Sequence, residues 1–416
     1  LATSAPWSAF QRLPASGFTL VESVGGTYLG KLLGRSGVLG RRSGAGAFQA
    51  PGLSAAEARR LRPAAVPGHG AQADAQRVQL ALGILRAMGL TTNFARLVLV
   101  AGHAAHSANN PQLAALQCGA CGGHGGDVNA RALALLLNDA AVRRGLAAQG
   151  LHIPPHTHFL AGVHNTTTDD VSLLDTDLLP PGHAADVQAL RADLESAGRK
   201  ARAWRAPRLG LAHLGDQPRA LERALRERAQ DWAQTRPEWG LANNAAFIVA
   251  PRRRTRGADL EGRAFLHEYD AHADADGAVL AQILAGPMVV GHWINMQYYA
   301  STVDPQGLGS GNKLLHNVVG GRIGVFEGNG GDLRIGLAWQ SVHDGERWMH
   351  TPLRLSVLID APRERIERVL AADATVRRLV EHRWLHLLRF VDGDATPVDL
   401  ETWQHGQWQA MPARGD

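Results

Sequence analysis

An apolar run, Leu97-Val98-Leu99-Val100-Ala101-Gly102, ends on His103 and gives way to a polar, glycine-rich stretch. A run this short and this rich in Leu and Val reads as a strand buried on both faces. The pattern recurs at residues 157–163, which end on His164, and again at 245–250, 263–269, 353–359 and 386–391. Between these runs lie segments with apolar residues at helical spacing. Strands alternating with helices specify an α/β fold: a mostly parallel sheet with right-handed crossovers and helices on both faces. In such sheets, ligands and chemistry gather at the carboxyl ends of the strands, where His103 and His164 stand.

The helical segments predicted from periodicity are 74–90, 128–148, 183–205, 218–233, 276–286 and 363–371, the first carrying Val78, Leu80, Leu82, Ile84, Leu85 and Met88. The helix at 276–286 leads to an apolar stretch at 288–293. Residues 7–40 read as helical, 41–70 as a Gly/Ala/Pro/Arg-rich loop, and 304–334 as irregular because of glycine density. We divide the chain into a helical and linker segment (1–90), an α/β core portion (91–391) and a C-terminal tail (392–416). No internal repeat is apparent. The start, Leu1-Ala2-Thr3-Ser4, has neither an initiator Met nor a signal sequence, so an internal start within a longer chain is expected.

The 416 residues are 45% hydrophobic, and no run of 18 apolar residues occurs, so no segment is expected to span a bilayer by itself. The net charge of +5 is small for this length. Nearly all basic residues are Arg, a bias that points to genome composition more than to a nucleic-acid surface, and Arg252-Arg253-Arg254 with Arg256 reads first as a solvated loop and second as an anion or partner contact. Only two cysteines occur, Cys118 and Cys121, which argues against a secreted disulfide framework.

Cys118 follows His103 at a distance of fifteen residues, in Cys118-Gly119-Ala120-Cys121-Gly122-Gly123-His124. Imidazole and thiolate are the commonest zinc donors. The spacing leaves several readings open: a Cys-x-x-Cys redox pair, a structural zinc knuckle from Cys118, Cys121, His124 and either His103 or His106, a catalytic zinc site, or small thiols packed in a tight turn. A second cluster, His164-Asn165-Thr166-Thr167-Thr168-Asp169-Asp170, reads either as a helix cap or as groups that orient a ligating imidazole. A third, residues 307–331 with Asn312, Lys313, His316, Asn317, Glu327 and Asn329, reads either as an anion-cradling loop, without the Gly-Lys-Ser/Thr ending of a phosphate loop, or as glycines that permit close backbone packing at a rim.

These stretches together resemble the DabA family, soluble subunits of an energy-coupled inorganic carbon (CO2/bicarbonate) accumulation system. The resemblance rests on Ala101-Gly102-His103 through Asn109-Asn110-Pro111, Cys118-Gly119-Ala120-Cys121-Gly122-Gly123, Asn129-Ala130-Arg131 and His164–Asp169. It continues in Trp293-Ile294-Asn295-Met296-Gln297-Tyr298-Tyr299, Gly309–Lys313, His316–Gly320, Gly328–Arg334, and Ser16-Gly17-Phe18 with Val21-Glu22 and Gly30-Lys31. The resemblance implies a β-carbonic-anhydrase-like core with large insertions, and one zinc held by two cysteines, a histidine and an aspartate. His103 and Cys118 match two of those ligands. The other two belong to a Cys-x-Asp segment expected upstream of this chain, so the chain corresponds to the C-terminal portion of the family and carries half of the site. His164, Asn165, Thr166 and Asp169 become candidates for supporting the ligands, and Cys121 for packing in the turn. The resemblance further implies hydration of CO2 to bicarbonate on zinc, a membrane proton- or cation-conducting partner (DabB-like), and peripheral attachment at the cytoplasmic side of the inner membrane.

Overall fold

The computed structural model describes residues 17–29, 61–63, 70–107, 117, 124–231, 241–319, 324–328, 332–391 and 399–411. After α1 (Gly17–Val24), α2 (Ala71–Ala87) leads into β1 (Leu97–Ala104). Then come α3 (Asp127–Asn138), α4 (Ala140–Ala148), β2 (His158–Asn165) and β3 (Asp170–Leu174). The helices α5 (Ala184–Arg205) and α6 (Pro218–Gln230) follow, then β4 (Ala246–Val249) and β5 (Ala264–His267). A long helix, α7 (Ala278–Val303), precedes the hairpin β6 (His316–Val319) and β7 (Gly324–Glu327). The chain ends with short α8 (Trp339–Val342), β8 (Ser356–Ile359), α9 (Arg363–Ala372), α10 (Ala374–Glu381), β9 (His386–Phe390), β10 (Leu400–Gln404) and β11 (Gln407–Ala410).

The fold is α/β, but its strands divide between two mixed sheets and a hairpin instead of forming one mostly parallel sheet. In the first sheet, β1 and β2 run parallel and β3 returns antiparallel on β2. The second has the order β11-β10-β9-β8-β4-β5. Its β9-β8-β4-β5 part is parallel, and β10 and β11, within the segment read as a tail, extend it antiparallel. Each sheet has its own core. Leu82, Leu85, Leu137, Leu146 and Phe159 pack on the first, and Val249, Leu280, Leu355, Val357, Ile359 and Ile366 on the second.

Several predicted elements change for identifiable reasons. The helix expected over 128–148 breaks at Asp139, whose carboxylate accepts from Ala141 N (2.7 Å) and Val142 N (3.1 Å) and so caps α4. The close approach of α4 to α2 depends on Gly145: a Cβ there would lie 2.4 Å from Val78 Cγ2. In α2, Val78, Leu82 and Leu85 form the buried stripe, whereas Leu80 and Met88 face solvent. The polar run 165–170, read as a cap or ligand-orienting group, is the turn of the β2–β3 hairpin, with Asn165 paired to Asp170.

The segment split at Gly286-Pro287 is one helix. A π-turn over Leu284–Met288 absorbs Pro287, which has no N–H to donate, and α7 continues to Val303. Among the described residues, this helix is long and apolar enough to cross a membrane by length and composition, with a mean hydropathy of 1.3 in its best window. Polar residues such as Gln282, His292 and Asn295 interrupt it, and a buried core helix has the same length and composition. One side of it packs into the protein through Leu280, Ile283, Leu284, Met288 and Tyr298.

Candidate functional site

His103 and His164 are register partners on the parallel strands β1 and β2. Directly paired residues project from the same face of a sheet, with their Cβ atoms about 5 Å apart. The two histidines that end the apolar runs therefore stand side by side at the strand ends. Both are partly buried.

The loop between β1 and α3 returns to this point. Gly126 N–H donates to His103 O at 2.8 Å. The contact is backbone against backbone: a Cβ on Gly102 would fall 2.3 Å from Gly126 O, and one on Gly126 would fall 2.9 Å from His103 N. Glycine is required at both positions because no side chain fits between the two chains. On the other flank of the cysteine segment, buried Gln117 imitates a strand: its Nε2 donates to Ala105 O at 2.9 Å and its Oε1 accepts from Ala105 N at 3.3 Å. Cys118 and Cys121 lie outside the described residues. His124 is exposed, and His106 uses its backbone N–H to bond Thr167 Oγ1 at 3.0 Å. Among the described residues no group of three His, Cys, Asp or Glu side chains is arranged to hold a metal.

The β2–β3 turn supports His164. Asn165 Oδ1 accepts from Thr167 N (3.1 Å), and Asn165 Nδ2 donates to Thr168 Oγ1 (2.9 Å). Thr166 N–H reaches across to Ala104 O on β1 at 2.9 Å. These bonds bring Asp169, at φ +56°, into position to hold His164 Nε2 at 3.1 Å through Oδ1. Its other oxygen, Oδ2, accepts from Arg205 Nη1, which also donates to Thr166 O at 3.2 Å. Burial would raise the Asp169 carboxyl; the hydrogen bond from His164 and the charge and hydrogen bond of Arg205 outweigh it, so the group is held below the ordinary carboxylate value. Arg202, one helical turn back, donates to Thr168 O at 3.0 Å and pairs with Asp170 at 3.4 Å. Arg226 of α6 adds a bond to Asp170 at 2.7 Å. Gly198 lets α5 approach, since a Cβ there would lie 2.6 Å from Asp169 O.

Of the sequence-derived candidates, His103, His164, Asn165, Thr166 and Asp169 are brought together at one end of the first sheet. Arg202, Arg205 and Gln117 were not singled out. The only trace of the arginines was their i, i+3 spacing at the end of a charged helix, a pattern most surface helices share.

The third cluster is a different object. Gly311, at φ +76°, and Asn312 do form a backbone cradle, but Glu327 of this chain fills it: its Oε1 accepts from Asn312 N at 2.8 Å. A Cβ on Gly311 would sit 2.2 Å from the Glu327 carboxyl carbon. Arg334 Nη2 neutralises the same carboxylate at 3.0 Å, and His316 Nε2 bonds Ser310 O at 2.7 Å. The reading of this loop as a ligand cradle is therefore corrected. The arginine cluster is likewise engaged within the chain, with Arg254 paired to Asp360 at 2.8 Å and Arg252 bonded to Leu266 O at 3.1 Å.

The architecture so far is that of a mixed α/β protein with a polar, histidine-bearing site at the carboxyl ends of two parallel strands. The family model described as "Probable inorganic carbon transporter subunit DabA" matches residues 1–385, and the chain belongs to this family. Relatives carrying the same description are 57% identical in Ectopseudomonas mendocina and 52% identical in Paracidovorax citrulli, each over 99% of this chain and 49% of the relative. A third, from Vibrio cholerae, is 51% identical over 97% of this chain and 47% of the relative. The chain thus spans about half the length of the curated relatives it matches. No solved structure matches it.

Proposed function

We propose that this chain forms part of an inorganic carbon transporter subunit and contributes two ligands, His103 and Cys118, to a zinc site in a β-carbonic-anhydrase-like core. The observation that carries this reading is the tethering of both flanks of the cysteine segment to the strand that bears His103, by Gln117 on Ala105 and Gly126 on His103. Covalent continuity keeps Cys118 within about 3.8 Å, Cα to Cα, of Gln117. Such a site suits an imidazole and a thiolate. The remaining donors, a cysteine and an aspartate, would come from the part of the relatives' length that lies outside this chain. Bound zinc would supply an acidified water able to hydrate CO2 to bicarbonate near neutral pH. Within this chain, Asp169 fixes the orientation of His164 beside His103, and Arg205 fixes Asp169. A membrane proton- or cation-conducting partner would make the hydration one-way, with the subunit held at the cytoplasmic face of the inner membrane.

The test uses the full-length protein with its partner. Zinc content and inorganic carbon uptake are measured for His103→Ala, Cys118→Ala and Cys121→Ala. The reading expects about one zinc per chain, lost in the first two variants together with uptake, and retained in the third. Equal dependence on both cysteines, with a reversible disulfide, would favour the redox alternative.

A further inference from the structure

The Glu327 carboxylate fills the Gly311 cradle without satisfying the groups around it. Its Oε1 accepts the Asn312 N–H at 2.8 Å, and its Oε2 meets Arg334 Nη2 at 3.0 Å. Two further polar atoms of the same cluster, Ser310 Oγ and His316 Nδ1, are buried and have no hydrogen-bond partner among the described residues. Ser310 is wholly buried. Buried polar groups are otherwise paired almost without exception, so each such atom calls for an explanation.

The histidine tautomer is set by a bond already made. A backbone carbonyl only accepts, so His316 Nε2, 2.7 Å from Ser310 O, carries a proton. Burial lowers the pKa of the ring, which leaves Nδ1 a bare acceptor. His316 and Glu327 are register partners on the β6–β7 hairpin, so their side chains leave one face about 5 Å apart. Lys313, also buried, acts on the same ring through its charge. The cluster therefore holds a filled anion seat, an unused hydroxyl and an unused acceptor.

An ionised carboxylate has acceptors only. Seated on Asn312 and Arg334, Glu327 has nothing to donate to His316 Nδ1. A planar anion with a hydroxyl on the carboxyl carbon serves all of these groups: two oxygens for the Asn312 N–H and Arg334, and an O–H for Nδ1. Bicarbonate is that anion. Acetate shares the two oxygens and lacks the donor, and the charges of Arg334 and Lys313 oppose a cation. Glu327 is also placed to leave. It is the last residue of β7, and its side chain is 25% exposed, so it can turn to solvent while the hairpin stays paired. The seat would remain, because Gly311 O is held by Trp339 N–H at 2.9 Å and Asn312 Oδ1 by Leu314 N–H at 3.0 Å and Gln340 Nε2 at 2.6 Å.

We propose that Ser310, Gly311, Asn312, His316 and Arg334 form a second inorganic-carbon site, selective for bicarbonate, which Glu327 closes as a built-in competitor. This rests on the inorganic carbon reading above but not on the zinc ligands. A competitor that leaves the seat open about a tenth of the time weakens apparent binding about tenfold. Bicarbonate then fills the site only where it has accumulated.

The test titrates the full-length subunit with 13C-labelled bicarbonate at mildly alkaline pH and reads NMR line broadening. The His103→Ala background, stripped of zinc by a chelator, keeps exchange at the metal site out of the signal. In that background Glu327→Ala should bind bicarbonate about tenfold more tightly than the protein that keeps Glu327. Adding Arg334→Gln or Gly311→Ala should abolish binding. Glu327→Gln, which keeps the side-chain shape and loses the charge, should fall between. Acetate should bind Glu327→Ala more weakly than bicarbonate does, and His316→Phe should erase that difference. No binding by Glu327→Ala or Glu327→Gln, in protein whose circular dichroism matches the parent, overturns the proposal. So does binding in those variants with none where Glu327 is present, which would make the carboxylate a fixed structural group. Acetate binding as tightly as bicarbonate with His316 in place overturns the choice of ligand. Zinc content and carbon uptake of His103→Ala test the metal reading separately.

Discussion

His103 and His164 occupy the same register position on two parallel strands, and Asp169 holds the second of them from the turn that follows. Neither relationship depends on closeness in sequence between the two histidines. It depends on which strand pairs with which, and on a hairpin turn whose polar side chains bond one another before they bond anything else.

The Asp169 carboxylate joins His164 to Arg205, and both it and the arginine are nearly buried. Asp169→Asn should cost about 3 kcal/mol, because it leaves a buried guanidinium without its counter-charge. The sign of the pH effect follows from the lowered carboxyl. Its contribution is fully present above the unfolded value of about 3.9 and is lost as pH falls through the lower folded value. Denaturant titrations between pH 7 and 2.5 should show an acid loss of stability that is smaller in the variant. An identical acid limb in both would contradict it.

Gly102→Ala places a methyl group against the Gly126 carbonyl. The neighbour is backbone and cannot rotate away, so the cost should lie near the upper end of the 1–3 kcal/mol typical of overpacking. Hydrogen exchange offers a local readout. The Gly126 amide, protected by His103 O in the parent, should exchange much faster in the variant.

Gly311 combines a positive φ with a carboxylate where its Cβ would go. Gly311→Ala should destabilise by about 2 kcal/mol or more, of which the left-handed backbone accounts for roughly 1–2. Adding Glu327→Ala should recover the steric part and leave the backbone part. A double-mutant cycle reads the coupling directly, and strict additivity would show that the carboxylate does not occupy the cradle.

His350 is buried, with Nδ1 accepting from Asn243 N–H at 2.8 Å and its ring 5.4 Å from that of Tyr298. Burial, with a smaller push from Arg263, lowers its pKa to about 4. The unfolded chain therefore binds the proton first. Stability should fall as pH drops from about 6.5 towards 4, by an amount on the order of 3 kcal/mol. His350→Gln should flatten the curve in that window while lowering stability at pH 7.

The sequence by itself determined the α/β class, the strands that carry His103 and His164 near their ends, and most of the helices, because burial imposes period two or 3.6 on each element whatever it packs against. It also marked the clustered glycines, which occur where two backbones touch, as Gly102 and Gly126 do. The resemblance in its motifs named the family. Only the tertiary structure decided that the strands form two sheets. An apolar run such as 245–250 looks the same whichever sheet receives it, and β10 and β11 are too polar to announce themselves as strands. It alone set Asp139 as a cap rather than a helix interior, carried α7 through Pro287, put Glu327 into the Gly311 cradle, and recruited Arg202 and Arg205 to Asp169 and Asp170. Each of these turns on a contact between residues far apart in the chain, or on a local conformation that such contacts stabilise. The strength of such contacts comes from burial and geometry that no local pattern encodes.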